Sequence, residues 1–98
     1  MDGLKAISIV EFKRLLHDLY DKQSYTFVRF RLLGEMWQPT FLQIFDVGEH
    51  AAIFFNERSR QLLRIGNLAT IVQFEIDHNF QQYQAHFHYD VTLEEVTV

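Results

Sequence analysis

Residues 68–91 alternate between apolar and polar side chains, a pattern that predicts a long β-hairpin. Successive strand side chains point to opposite faces, so each arm has an apolar face and a polar face. The faces of the first arm hold Val72, Phe74 and Ile76 on one side and Ile71, Gln73, Glu75 and Asp77 on the other. The faces of the second arm hold Tyr83, Ala85, Phe87, Tyr89 and Val91 against Gln84, His86, His88 and Asp90.

Two expectations for this hairpin concern its turn and its core. The turn is predicted at Asp77-His78-Asn79, because Asp and Asn tolerate the backbone angles of a tight connection. Phe74 is expected in the core, where its replacement by alanine would strongly lower the free energy of unfolding. Glu75 lies on the opposite face and is expected to contribute little to stability.

Residues 8–21 have the period of an amphipathic helix. Ser8 and Glu11 have the spacing of a capping box, in which each side chain satisfies a free backbone amide at the helix start. The apolar stripe of this helix consists of Ile9, Phe12, Leu15, Leu16 and Leu19. We expect the helix to cover one face of a sheet.

Four further segments have strand character: 25–33, 40–47, 51–55 and 61–65. Segments 40–47 and 51–55 are apolar on both faces. Turn-forming residues separate the segments, and no helical pattern intervenes, so we expect an antiparallel meander in chain order.

These elements predict one α+β domain over residues 1–98. An N-terminal amphipathic helix packs on an antiparallel β-meander of five or six strands, strongly curved or small-barrel-like. The stretch FDVGEHAAIFFNERSRQLLRIGNLATIVQFEID has a hairpin, a short strand, a Gly-Asn break and a last strand. Over residues 25–77 this order resembles that of Sm-like and Hfq-like small barrels. The resemblance implies a small-barrel fold and, as one functional alternative, RNA binding.

Composition and charge narrow the class of protein. The chain has no cysteine, which excludes a disulfide framework and a cysteine nucleophile. It shows neither a secretory signal pattern nor an apolar run long enough for a membrane span, so we expect a cytoplasmic protein. The net charge is −4, and all nine Lys and Arg residues lie at or before Arg64. This distribution disfavours nucleic acid as a partner, which would require a concentrated basic surface.

His86, His88 and Asp90 share one face of the last strand, and they are the candidate metal ligands. Alternate side chains on a flat strand lie nearly 7 Å apart, so a neighbouring strand would have to supply convergence. The alternative is that these three are polar side chains on a solvated face, and it is the interpretation we favour.

Two other features are open to a structural or a functional interpretation. Trp37 lies in a loop bounded by Gly34 and Pro39, where it could plug the end of the core or anchor a partner, and we favour the plug. Arg29 and Arg31 alternate with Phe27, so they could bind phosphates and bases or pair with cross-strand acids. We favour pairing, with Glu75 and Asp77 as the available acids.

The motifs of common enzyme classes are missing: there is no GxGxxG, GxxxxGK[ST], HExxH or GxSxG. We therefore expect no cofactor and, as the leading hypothesis, a non-catalytic interaction module that forms a homodimer or binds a protein partner. The alternatives are a small ligand- or metal-binding protein and a small-barrel RNA binder. The expected contact is the last strand, 83–91, as a sheet edge. The candidate contact residues are Trp37, Tyr83, Phe87 and Tyr89.

Overall fold

The fold, taken from a computed structural model, is described for residues 5–22, 26–79 and 84–92, with the side chains of 78, 79 and 84–86 outside this description. The described chain forms one α-helix and one seven-stranded sheet. The elements in chain order are β1 (Lys5–Ser8), α1 (Ile9–Asp21), β2 (Thr26–Leu32), β3 (Leu42–Val47), β4 (Ala52–Asn56), β5 (Gln61–Ile65), a 3-10 turn (Leu68–Thr70), β6 (Ile71–Asn79) and β7 (Gln84–Thr92).

Helix α1 begins where the sequence predicts. The Ser8 hydroxyl accepts a hydrogen bond from the Glu11 backbone N–H at 3.1 Å, which satisfies one of the amides that a helix start leaves free. The apolar stripe is buried at Phe12, Leu16 and Leu19. Phe12 meets Phe74 of the sheet edge-to-face, with ring centroids 4.8 Å apart. The predicted amphipathic helix is confirmed.

The Ser8→Ala variant should lose about 1 kcal/mol of unfolding free energy, because it removes the acceptor for the Glu11 amide. Urea denaturation monitored by circular dichroism measures the loss. Ser59→Ala is the matched control, since this serine is exposed in the β4–β5 turn, and it should stay within about 0.5 kcal/mol of the parent. Equal midpoints for the two variants would mean that the cap does not stabilise α1.

The sheet order is β1-β7-β6-β2-β3-β4-β5. Strands β2 to β5 form the predicted antiparallel meander, but β6 then pairs with the far side of β2 instead of with β5. This placement sets Phe74 against Phe30 and Ile76 against Val28, which brings four buried apolar side chains together under α1. The prediction of five or six strands in chain order is therefore wrong.

The sheet is open. Within the described residues β1 pairs only with β7 and β5 pairs only with β4, so these two strands are its edges. The small-barrel expectation, and with it the resemblance to Sm-like barrels, is not supported. The expectation that the last strand lies at an edge is also wrong, because β1 adds in parallel beside it. With only four residues, β1 is too short to give an alternation signal in the sequence.

The predicted turn position at Asp77-His78-Asn79 is wrong. All three residues lie in β6, and the ladder to β7 continues to the pair Asn79–Gln84. The turn preference of Asp and Asn is local and weak, and ladder hydrogen bonds along two long strands override it. Residues 80–83 lie outside the described residues.

The core lies between α1 and one face of the sheet. Its centre consists of four phenylalanines that are fully buried: Phe12, Phe30, Phe54 and Phe74. The predicted strand faces are confirmed here, since Val28 and Phe30 are buried while Arg29 and Arg31 point to the other side. No described helix covers that other side, which we call the helix-free face.

Candidate functional site

The helix-free face is divided into a polar zone and an apolar zone. The polar zone lies on β2, β6 and β7, where the strand register aligns charged and amide side chains across the sheet. The apolar zone lies on β3, β4 and β5. The side chains of the polar zone bind one another through hydrogen bonds and an ion pair, whereas the apolar zone leaves large side chains exposed to solvent.

An ion pair lies at the centre of the polar zone. Arg29 Nη2 donates to Glu75 Oε2 at 2.7 Å and to Oε1 at 3.0 Å. The guanidinium also lies over the rings of Trp37 and Phe41, at 5.2 and 5.0 Å from their centroids. Two aromatic rings and a carboxylate therefore hold one cation, which favours the charged pair by cation–π attraction as well as by hydrogen bonding.

Arg31 is held in the same way but by a neutral partner. Its Nε donates to Gln73 Oε1 at 2.8 Å. The interpretation that the β2 arginines pair across the strand with an acid is confirmed for Arg29, whereas Arg31 uses an amide. Arg31 Nη1 also donates to the Glu35 backbone carbonyl at 3.4 Å, while Arg29 Nε is buried without a hydrogen-bond partner.

Trp37 reaches the helix-free face because a β-bridge aligns it with Arg31. Its ring contacts Arg29 and, edge-on, the His88 ring at a centroid distance of 5.2 Å. The side chain is half-buried and lies over the polar zone. It does not plug the end of the core, which was the interpretation favoured from the sequence.

The other candidate contact residues lie on the helix side of the sheet. Phe87 and Tyr89 stack with their ring centroids 6.5 Å apart, and Phe87 is 45% exposed. Burial raises the pKa of the Tyr89 phenol above its ordinary value. Tyr83 lies outside the described residues. The structure therefore places Trp37 on the opposite face from Phe87 and Tyr89, and these residues do not form one contact surface.

A cleft of 290 Å³ lies beside Tyr89, between α1 and the edge strand β1. Its lining includes Glu11, Arg14 and Asp18 of the helix together with Lys5. Acids and bases are mixed along its walls, so it offers no single charge to a ligand.

The strand register places the candidate metal ligands at alternate positions of β7, as the sequence predicts. The contacts of the described side chains do not indicate a metal site. His86, His88 and Asp90 lie opposite Asp77, Glu75 and Gln73 of β6. Asp90 Oδ1 accepts a hydrogen bond from Gln73 Nε2 at 3.0 Å, and the His88 ring packs on Trp37 with its Nε2 buried and without a hydrogen-bond partner. The side chain of His86 is outside the description. The described side chains contain no group of three metal-binding residues, and the metal site stays a prediction.

Zinc at neutral pH should leave the melting temperature unchanged, because Asp90 is engaged by Gln73 and alternate strand side chains diverge. Differential scanning calorimetry on protein without a histidine tag measures this. A zinc-dependent rise that His88→Ala removes would instead establish the metal site.

The apolar zone consists of Phe45, Ile53, Phe55 and Leu62. Phe45 is the extra residue of a β-bulge, which sets both it and Asp46 opposite Ile53. Phe45 is 54% exposed and Leu62 is 55% exposed, whereas Ile53 and Phe55 are half-buried. The signal for this zone was present in the sequence, since segments 40–47 and 51–55 are apolar on both faces. The contact predicted from the sequence lies on the last strand instead.

A cleft of 340 Å³ lies near the end of the apolar zone, where β4 turns into β5. Its apolar walls are Phe27, Pro39 and Phe41, and Glu57 and Arg58 of the turn complete its rim. Aromatic walls of this kind accept an apolar side chain from a partner.

Comparison of the chain with protein-family models, with curated proteins and with solved structures gives no match. Within the described ranges, no helix is long and apolar enough to cross a membrane. Function is therefore inferred from the two faces of the sheet.

Proposed function

We propose that the protein is a non-catalytic interaction module that forms a homodimer through the apolar zone of its helix-free face. The observation that carries this proposal is the exposure of Phe45 and Leu62 beside Ile53 and Phe55, on a sheet face that no described helix covers. Monomers rarely expose contiguous apolar patches, and such patches mark contact sites.

The polar zone supports an interaction role rather than a catalytic one. Its ionic and amide groups bind each other, as in the pairs Arg29–Glu75 and Gln73–Asp90. These hydrogen bonds between neighbouring side chains favour a structural role for the polar zone. The RNA-binding alternative loses support because the sheet is open and because the Arg29 guanidinium is paired with Glu75.

A second copy of the chain is the simplest occupant. In a two-fold dimer one self-complementary patch serves both subunits. Two sheets packed face to face lie about 10 Å apart, which leaves room for the side chains of both apolar zones to interdigitate. The absence of cysteine is compatible with a cytoplasmic dimer.

Phe45→Lys should weaken the dimer about ten-fold or more, because it places a charge in the apolar contact. Multi-angle light scattering over a range of micromolar concentrations measures the dissociation constant. Val10→Lys is the matched control, since Val10 is 51% exposed against 54% for Phe45 but lies on α1, away from the helix-free face.

A further variant tests whether the dimer contact lies on the apolar zone or on the last strand. Phe87→Lys should leave the dimer intact, and its disruption by this variant alone would move the contact to the last strand. A monomer mass for the parent protein at high micromolar concentration would contradict the proposed function.

A further inference from the structure

One row of side chains in the apolar zone carries opposite charges at its two ends. The strand ladders align Asp46 of β3 with Ile53 of β4, and Ile53 with Arg64 of β5. Asp46 and Arg64 are exposed, and neither forms an ion pair with a described residue. The row therefore reads acid, apolar, base across three adjacent strands, with the two charges about 10 Å apart at two strand spacings.

We propose that the two-fold axis of the dimer runs along β4, so that Asp46 of each copy pairs with Arg64 of the other. This inference rests on the proposed function. Rotation about an axis along β4, between the two sheets, carries β3 of one copy over β5 of the second copy. Each acid then meets a base, twice per dimer, while Ile53 meets its own copy on the axis.

The charges select this axis over the other two-fold arrangement. An axis in the same plane but perpendicular to the strands, passing through this row, carries β3 over β3 and β5 over β5. It sets Asp46 against the Asp46 of the second copy and Arg64 against its Arg64. Like charges placed opposite each other are unfavourable, and they suppress that arrangement.

The lateral order of the strands is what makes the row self-complementary. Ile53 lies between the two charges, so the axis passes through an apolar contact and the ion pairs lie at its rim. Exposed ion pairs each change affinity by about two- to five-fold, and here they act mainly on orientation. The apolar contacts of Phe45, Phe55 and Leu62 supply the remaining affinity.

The test uses two charge reversals made in separate full-length chains, Asp46→Arg and Arg64→Asp. Each variant alone should dimerise at least about ten-fold more weakly than the parent, because two attractive contacts become two repulsive ones. An equimolar mixture of the two variants should restore a dimer of near-parental affinity, because every contact between the two different chains joins opposite charges. Light scattering and native mass spectrometry with one isotope-labelled chain measure these outcomes.

Two further chains complete the design. Asp18→Arg, an exposed reversal on α1, should leave the dimer unchanged. The double variant Asp46→Arg/Arg64→Asp should dimerise with itself and not with the parent, which keeps the test valid if one single variant folds poorly.

The outcomes distinguish this inference from the proposed function. A parental dimer that both single reversals leave intact would overturn the axis and retain the dimer. Weakened single variants that the mixture does not restore would also overturn the axis. A parent protein that stays monomeric would overturn both.

Discussion

Replacement of Phe74 by alanine should lower the unfolding free energy by about 3–5 kcal/mol, the largest effect expected of any single change described for this protein. Phe74 is fully buried at the centre of the sheet, between Phe30 on β2 and Tyr89 on β7. Its ring also meets Phe12 of α1 edge-to-face. The loss combines the transfer free energy of the ring with the free-energy cost of the cavity that remains. The cavity remains because the helix and the sheet can move only partly into the vacated space.

Chemical denaturation with a two-state fit measures this loss, provided that the slope of free energy against denaturant stays constant. Phe87→Ala is the matched control on the neighbouring strand, because the same ring is 45% exposed there. It should cost less than about 1.5 kcal/mol, in proportion to the area that is buried. Similar losses for both variants would place Phe74 outside the core.

Glu75→Ala should cost about 2 kcal/mol, in contrast to the near-neutral effect that its place on the polar face predicts. Glu75 is only 6% exposed, and its carboxylate accepts two hydrogen bonds from Arg29. Its removal leaves the Arg29 cation between Trp37 and Phe41 without its counter-charge. Breaking a fully buried pair costs about 3–5 kcal/mol, and the 31% exposure of the Arg29 side chain reduces that figure.

A double-mutant cycle isolates the pair. Arg29→Met, Glu75→Ala and the combined variant should give a coupling free energy of about 1–2 kcal/mol, since residues in direct contact are not additive. Glu57→Ala, an exposed acid in the β4–β5 turn, should stay within about 0.5 kcal/mol of the parent. A coupling indistinguishable from zero would mean that the ion pair does not stabilise the fold.

The burial of Glu75 illustrates a general limit of alternation as a signal. Alternation predicts correctly that Glu75 and Phe74 point to opposite faces, and it gives the same result for Arg29 and Phe30. It does not indicate what lies over each face. The loop that carries Trp37 folds back across β2, and this converts an expected solvated position into a buried ion pair.

Part of the candidate site can be predicted from the sequence. The two-sided apolar character of segments 40–47 and 51–55 correctly indicates an uncovered apolar surface. The row formed by Asp46, Ile53 and Arg64 cannot be predicted from the sequence, because it depends on a bulge at Phe45 and on the register of the β3–β4 and β4–β5 ladders. A shift by one residue would move Asp46 to the helix side.

The sequence by itself determined the local features: the start of α1 at Ser8, the strands β2 to β5, and the two faces of β2. These depend on capping and on side-chain periodicity over a few residues. The sequence places Ile71 on the polar face of β6, whereas a register shift beside Leu32 buries that side chain. Only the tertiary structure decided that β6 lies beside β2, that β1 adds next to β7, and that the sheet stays open. Strand neighbours are chosen by the burial of side chains from distant segments, such as Phe12 against Phe74, and no short-range pattern carries that information.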